Sequence, residues 1–131
     1  MQVTKQSSLY KTAALESLPG APKSPDYINA IIEIKCHQPA YLLLTLLQKI
    51  EQKAGRERPY LNAPRTLDLD ILLYRDEGGD AQIQTDTLTV PHPRMWQRAF
   101  VLVPLAEIVP ELVSAEQLEL VRGQGIERWH V

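Results

Sequence analysis

Two stretches of the chain alternate apolar and polar residues with a period of two, and a third repeats with the period of a helix. In Tyr27–Cys36, Ile28, Ala30, Ile32 and Ile34 alternate with Tyr27, Asn29, Ile31 and Glu33, which predicts a strand. In Leu67–Ile71, Leu67, Leu69 and Ile71 point one way while Asp68 and Asp70 point the other, which predicts a strand with one buried face. Between them a helix is predicted from about Pro39 to Ala54, with Leu43, Leu46, Leu47, Ile50 and Ala54 on its buried face and Gln48, Glu51 and Gln52 elsewhere. Pro39 suits its first turn and Gly55 its C-terminal stop. Gln2–Tyr10 is β-compatible and reads as a strand entered partway along. Residues 11–26 carry Pro19, Gly20, Pro22 and Pro25 and read as a loop. Further on, Arg75–Asp80 is a turn around Gly78-Gly79, Ile83–Val90 a hairpin arm, and Phe100–Ile108 an apolar helix or helix–strand segment ended by Pro110. Arg94 and Arg98 stand at helical spacing, able to face the same way in a short helix. Residues 114–131 are weakly patterned and predict no element.

Length and composition narrow the class. A chain of 131 residues is a single domain, 1–131, able to bury a core without staples. A formal net charge of −2 with 6% aromatic residues argues against a nucleic-acid surface, which is basic. The single cysteine, Cys36, excludes an internal disulfide and a cysteine-built metal site, and its place in an apolar pattern predicts a buried, inert thiol. No apolar run reaches membrane-spanning length and Met1–Leu15 has no leader character, so the chain reads as cytoplasmic.

The candidate chemistry centres on Pro64–Tyr74. Carboxylates two residues apart on a strand stand roughly 6–7 Å apart at Cα and repel when ionised and unpaired. Hard oxygen donors at that spacing suit Mg²⁺, which takes its other ligands from water and phosphate. Arg65 adds a planar donor for phosphate oxygens, and Lys53, Arg56 and Arg58 lie on or beside the preceding loop, which together suits a polyphosphate with its magnesium. The alternative is a solvated strand face with the aspartates paired to nearby cations. His92, held between Pro91 and Pro93, reads either as a surface histidine or as a phosphate donor, and Asn29 either as an exposed polar residue or as a ligand contact. The chain has no GxxxxGK[ST] or GxGxxG loop, no paired-histidine zinc motif and no nucleophile elbow.

Ala63-Pro-Arg-Thr-Leu-Asp-Leu-Asp-Ile-Leu-Leu-Tyr74 resembles the signature of the 6-hydroxymethyl-7,8-dihydropterin pyrophosphokinase family. Tyr10-Lys11-Thr12, Pro25–Asn29, Leu88–Arg94, and Arg98–Leu102 with Pro104, Leu105, Glu107 and Ile108 resemble further family segments in order and spacing. The resemblance implies an α+β, ferredoxin-like antiparallel sheet with helices packed on it. It implies transfer of the β,γ-pyrophosphoryl group of ATP to the pterin hydroxymethyl oxygen, releasing AMP. Asp68 and Asp70 match the pair that holds two Mg²⁺, and Arg65 with Arg56 or Arg58 match the arginines that engage the phosphates. Ile71, Thr89, His92 and Arg98 match ATP contacts. Tyr27 and Phe100 match the aromatics flanking the pterin, and Asn29, Thr12, Ala13 and Leu15 its hydrogen-bonding edge.

The sequence departs from the family pattern in four places. The loop between Gly55 and Arg65 is one residue shorter than in the best-known members, Leu61-Asn62 stand where many have Arg-Trp, and Thr87 replaces a basic residue. The family's first strand and helix, which precede the segment equivalent to Gln2–Tyr10, are missing. The expectation is two unpaired sheet edges, exposed core and a loss of several kcal/mol, with either a start internal to a longer product or compensation by rearrangement or self-association. An active pyrophosphokinase and a non-catalytic relic that keeps only ligand or protein binding are the two readings, with a nucleic-acid module a distant third.

Overall fold

The computed structural model describes residues 1–12, 27–55 and 67–129. They fall into two compact units, Met1–Cys36 with Arg94–Val131, and His37–Pro93. Among the described residues all strand pairing is antiparallel and helices accompany it, an α+β architecture as expected, and the strands are distributed over four small sheets.

In the first unit the expected N-terminal strand is two strands, β1 (Gln2–Gln6) and β2 (Tyr10–Thr12), and the expected strand at 27–36 is likewise two, β3 (Tyr27–Asn29) and β4 (Ile32–Lys35). β1 pairs with β4 and β2 with β3, so the arms form one hairpin with an interruption. From the Gln6–Ile32 pair to the Tyr10–Asn29 pair, one arm advances four residues and the other three. The extra residue is a bulge, and Ser7 seals it: its N–H donates to Ile31 O at 2.9 Å while its Oγ accepts the Ile31 N–H at 2.9 Å. The interruption also inverts the expected faces. Ile31 is buried, whereas Ile28 and Ile32 are exposed. Cys36 is in no disulfide and is half-buried, not fully buried as its pattern suggested.

Pro93 ends the second unit, and the first resumes with a single 3₁₀ turn, Met95–Gln97. Arg94 and Arg98 flank that turn, Arg98 in extended backbone, so they do not share a helix face as their spacing suggested. The next helix in this unit, Ala99–Ile108, carries Pro104 inside it, which removes the N–H that the Phe100 carbonyl would otherwise accept. It buries Ala99, Val101, Leu102 and Leu105; Leu102 and Ala99 cluster with Val121, under Trp96, Val113, Leu118 and Ile126.

The tail, for which the pattern gave no element, carries a helix and a strand. A helix at Ala115–Leu120 starts on a capping box, in which Ser114 Oγ accepts the Gln117 N–H at 3.1 Å and Gln117 Oε1 accepts the Ser114 N–H at 2.8 Å. Strand Ile126–Arg128 then adds to the free side of β2, giving a three-stranded sheet with β2 in the middle.

In the second unit, α1 spans Ala40–Gly55. Pro39 sits just before it, its carbonyl accepting from Leu42 and Leu43. Ala40 and Leu43 are buried and Leu46, Leu47 and Ala54 half-buried, but Ile50 is 40% exposed and Glu51 is turned partly inward, against expectation. Two hairpins follow. In the first, β5 (Arg75–Asp76) pairs with β6 (Gly79–Asp80) through a turn in which Gly79 takes φ 106°, open to glycine without strain. In the second, β7 (Ile83–Gln84) pairs with β8 (Thr89–Val90), so Ile83–Val90 folds back on itself and is not one long arm. Continuing the numbering into the first unit, helix Ala99–Ile108 is α2, helix Ala115–Leu120 is α3 and strand Ile126–Arg128 is β9.

Candidate functional site

The acidic stretch differs from its prediction in one respect. Residues 67–74 join no ladder among the described residues, and are held by separate hydrogen bonds. Glu51 Oε2 accepts the Leu69 N–H at 3.2 Å; Leu72 O accepts from His92 N–H at 2.9 Å; Tyr74 O accepts from Ala81 N–H at 2.8 Å; and the Tyr74 hydroxyl donates to Gln38 O at 2.7 Å. A strand requires a partner strand along its length, and here each neighbour contributes one bond. Without the ladder the predicted face is kept only in part, since Leu67 is 36% exposed. Asp68 and Asp70 are exposed, Leu69 is half-buried and Ile71 is 8% exposed.

Asp70 and Ile71 line a groove of about 280 Å³ in this unit, together with Leu44, Thr89 and His92. The turn between β7 and β8 forms its remaining wall with Thr85, Asp86 and Thr87. That turn is fixed by Thr85, whose Oγ1 accepts from Leu88 N–H at 3.0 Å and Thr87 N–H at 3.3 Å. The Val90–Pro91 peptide is cis, and His92 follows it with its N–H tied to Leu72. The structure thus gathers Asp70, Ile71, Thr89 and His92 from two separate segments. Thr85 and Asp86 were not singled out from sequence, although the Thr-Asp-Thr triplet between two β-branched runs is a turn signal.

The donor chemistry of this groove fits Mg²⁺ with a polyphosphate. Its carboxylates and hydroxyls are hard oxygen groups. Among the described residues no group of three or more His, Cys, Asp or Glu gathers as a closed metal cage. Two carboxylates that leave the remaining coordination to water and substrate oxygens are the arrangement magnesium takes with nucleotides.

The described residues that the resemblance assigns to the pterin, Thr12, Tyr27, Asn29 and Phe100, lie in the first unit. Thr12 stands opposite Tyr27, and Tyr10 opposite Asn29, across the β2–β3 ladder. Tyr27 is 57% exposed and Asn29 is half-buried. Phe100 lies in the first turn of α2, and the Arg98 guanidinium sits 5.2 Å from its ring centroid, a cation–π contact. Arg98, matched by resemblance to the nucleotide, therefore stacks on a residue matched to the pterin. Ala13, Leu15, Arg56, Arg58 and Arg65 lie outside the described residues.

One polar cluster in this unit escaped the sequence reading. Glu107 on α2 receives hydrogen bonds from Ser8 and Tyr10 and an ion pair from Arg128. The Tyr10 hydroxyl bond is the main influence holding the Glu107 carboxyl below the usual glutamate range; the Ser8 donors and the Arg128 charge reinforce it against partial burial. Burial, followed by the bond to Glu107, pushes the Tyr10 phenol above its usual value.

Compared with known proteins, the chain falls in the class of pyrophosphokinases, ATP-using transferases. It belongs to the 7,8-dihydro-6-hydroxymethylpterin-pyrophosphokinase family, whose model matches residues 1–110. The 2-amino-4-hydroxy-6-hydroxymethyldihydropteridine pyrophosphokinase of Bacillus subtilis is 40% identical over 127 residues, 97% of this chain and 71% of that protein. The protein of the same name from Synechocystis is 46% identical over 115 residues, 87% of this chain and 54% of its own length. A folate synthesis bifunctional protein of Arabidopsis thaliana is 39% identical over 110 residues, 83% of this chain and 21% of that protein. The family has a ferredoxin-like α+β fold and serves folate biosynthesis by pyrophosphate transfer. No helix among the described residues is long and apolar enough to cross a membrane.

Proposed function

We propose that this chain transfers the pyrophosphoryl group of ATP to 6-hydroxymethyl-7,8-dihydropterin, giving AMP and the pterin diphosphate. The observation that carries the reading is the oxygen-rich groove in which Asp70 meets Thr89 and His92, next to Asp68 on the same extended segment. In the reaction the pterin hydroxyl oxygen bonds to the β-phosphorus, the bond from that phosphorus to the α-phosphate bridging oxygen breaks, and the hydroxyl proton passes to solvent. Little covalent chemistry is asked of the protein; positioning and charge stabilisation supply the rate.

Asp68 and Asp70 would hold two Mg²⁺, which when bound neutralise the triphosphate and polarise its oxygens. Thr89 and His92 hold the nucleotide along the groove wall, Ile71 offers an apolar surface, and Arg65, Arg56 and Arg58 offer guanidinium donors to the phosphates. On the pterin side, Tyr27 and Phe100 supply ring faces, and Asn29 and Thr12 supply hydrogen bonds to the heterocycle edge, with Ala13 and Leu15 assigned to that edge; Arg98, at the start of α2, contacts the nucleotide. The reading places the protein in the cytoplasm, with no nucleic-acid or membrane partner. The test is AMP release by the purified chain from ATP, Mg²⁺ and the pterin. AMP formed in step with pterin diphosphate supports the reading, whereas ligand binding with AMP at background supports the non-catalytic alternative.

A further inference from the structure

We propose that Glu107 is a positioning residue for the pterin, pinning the helix that carries Phe100 to the sheet that carries Thr12, Tyr27 and Asn29. The inference rests on the substrate reading above. Glu107 Oε1 accepts the Tyr10 hydroxyl at 2.5 Å and the Ser8 N–H at 3.1 Å. Oε2 accepts the same N–H at 2.9 Å and the Ser8 hydroxyl at 3.0 Å, and Arg128 Nη2 lies 3.6 Å from Oε1. One carboxylate therefore joins α2 to the start of β2, and through Arg128 to β9.

The two ends of this link are the two sides of the proposed pterin surface. Glu107 follows Phe100 by seven residues on α2, two helical turns, so both lie on one stripe of the helix. A bond that fixes the height and rotation of Glu107 fixes those of Phe100 as well. At the other end, Tyr10 pairs with Asn29 and Thr12 with Tyr27, so the register of β2 sets where those groups stand. Tyr10 is 6% exposed, and its ring is also covered by the Arg128 guanidinium, 5.9 Å from the centroid. Bonds to an ionised acceptor are shorter and stronger than neutral ones, and their loss strands the hydroxyl and amide donors. A purely structural peg would lower stability and leave the two substrates equally well bound. A positioning residue affects the pterin alone.

The experiment compares the native chain with Glu107→Gln and Glu107→Asp, reading KM for each substrate, kcat, and equilibrium binding of the pterin. For Glu107→Gln the pterin KM and Kd rise about tenfold while the ATP KM stays within about twofold, and Glu107→Asp, which keeps the charge, recovers part of the loss. Unchanged pterin affinity, or an equal loss for both substrates, overturns the inference. Should Glu107→Gln fail to fold, Tyr10→Phe removes one donor and keeps the ring; a selective rise in pterin KM supports the inference and an unchanged one overturns it. A native chain that binds no pterin overturns the substrate reading and this inference together. A native chain that binds pterin as well as its variants do overturns the inference alone.

Discussion

Glu51 on α1 accepts the backbone N–H of Leu69, the residue between Asp68 and Asp70, at 3.2 Å. A helix thus grips the acidic segment at its midpoint, where no strand ladder holds it among the described residues. Glu51→Ala leaves that part-buried amide without its acceptor and is expected to cost about 1–3 kcal/mol in urea denaturation. Glu51→Gln keeps an acceptor oxygen and is expected to cost less. Equal losses for the two variants would show that the bond to Leu69 is not what Glu51 supplies.

Leu102 is fully buried in α2 and packs with Ala99 and Val121. Leu102→Ala is expected to lower stability by about 2–5 kcal/mol through lost transfer energy and the cavity left behind. Thermal unfolding monitored by circular dichroism checks this, and a loss under about 1 kcal/mol would mean the cluster collapses to fill the space.

The Glu107–Tyr10 pair makes stability depend on pH at both ends. Glu107 is held below its ordinary value, so its contribution is present above the unfolded carboxylate pKa, about 4.3, and is lost as pH falls through the lower folded value. Tyr10 is held above its ordinary value, so its contribution is complete below the unfolded phenol pKa, about 10, and is lost as pH rises through the higher folded one. Denaturation midpoints across pH are expected to show a plateau between these limits, and Glu107→Gln is expected to flatten the acid arm. An acid arm of unchanged size would assign it to other carboxylates.

The capping box of α3 gives a smaller prediction. Ser114→Ala removes the acceptor for the Gln117 N–H and is expected to cost about 1 kcal/mol, with Ser114→Asp close to neutral. Amide exchange at Gln117 and Leu118 checks it locally.

What the sequence made legible followed from repetition over many residues. Helix α1 was readable because period and punctuation agree along it, and the turn at Gly78-Gly79 by its glycines, whereas α2, apolar on most sides, was left open between a helix and a helix–strand segment. The bulge at Ser7 was not, because a single serine hydroxyl replacing a ladder bond leaves no trace in a hydrophobic pattern. α3 was missed despite Ser114 and Gln117 standing at capping-box spacing, since its apolar positions, Leu118 and Leu120, are few. β9 is three residues long and is stabilised by β2, more than a hundred positions away, a pairing local reading cannot reach. The same holds for the site. Asp68 and Asp70 announce themselves by alternation. Glu107 meets Tyr10 across 97 positions and looks in sequence like an ordinary helix-end charge.

The most direct measurement is the Mg²⁺ dependence of AMP release in native chain and Asp70→Asn. The account predicts magnesium-dependent turnover in the native chain and, in the variant, a fall greater than the ~10–100-fold that losing an outer partner of a metal site produces, with a higher Mg²⁺ requirement. Turnover and magnesium requirement both unchanged in Asp70→Asn would contradict it.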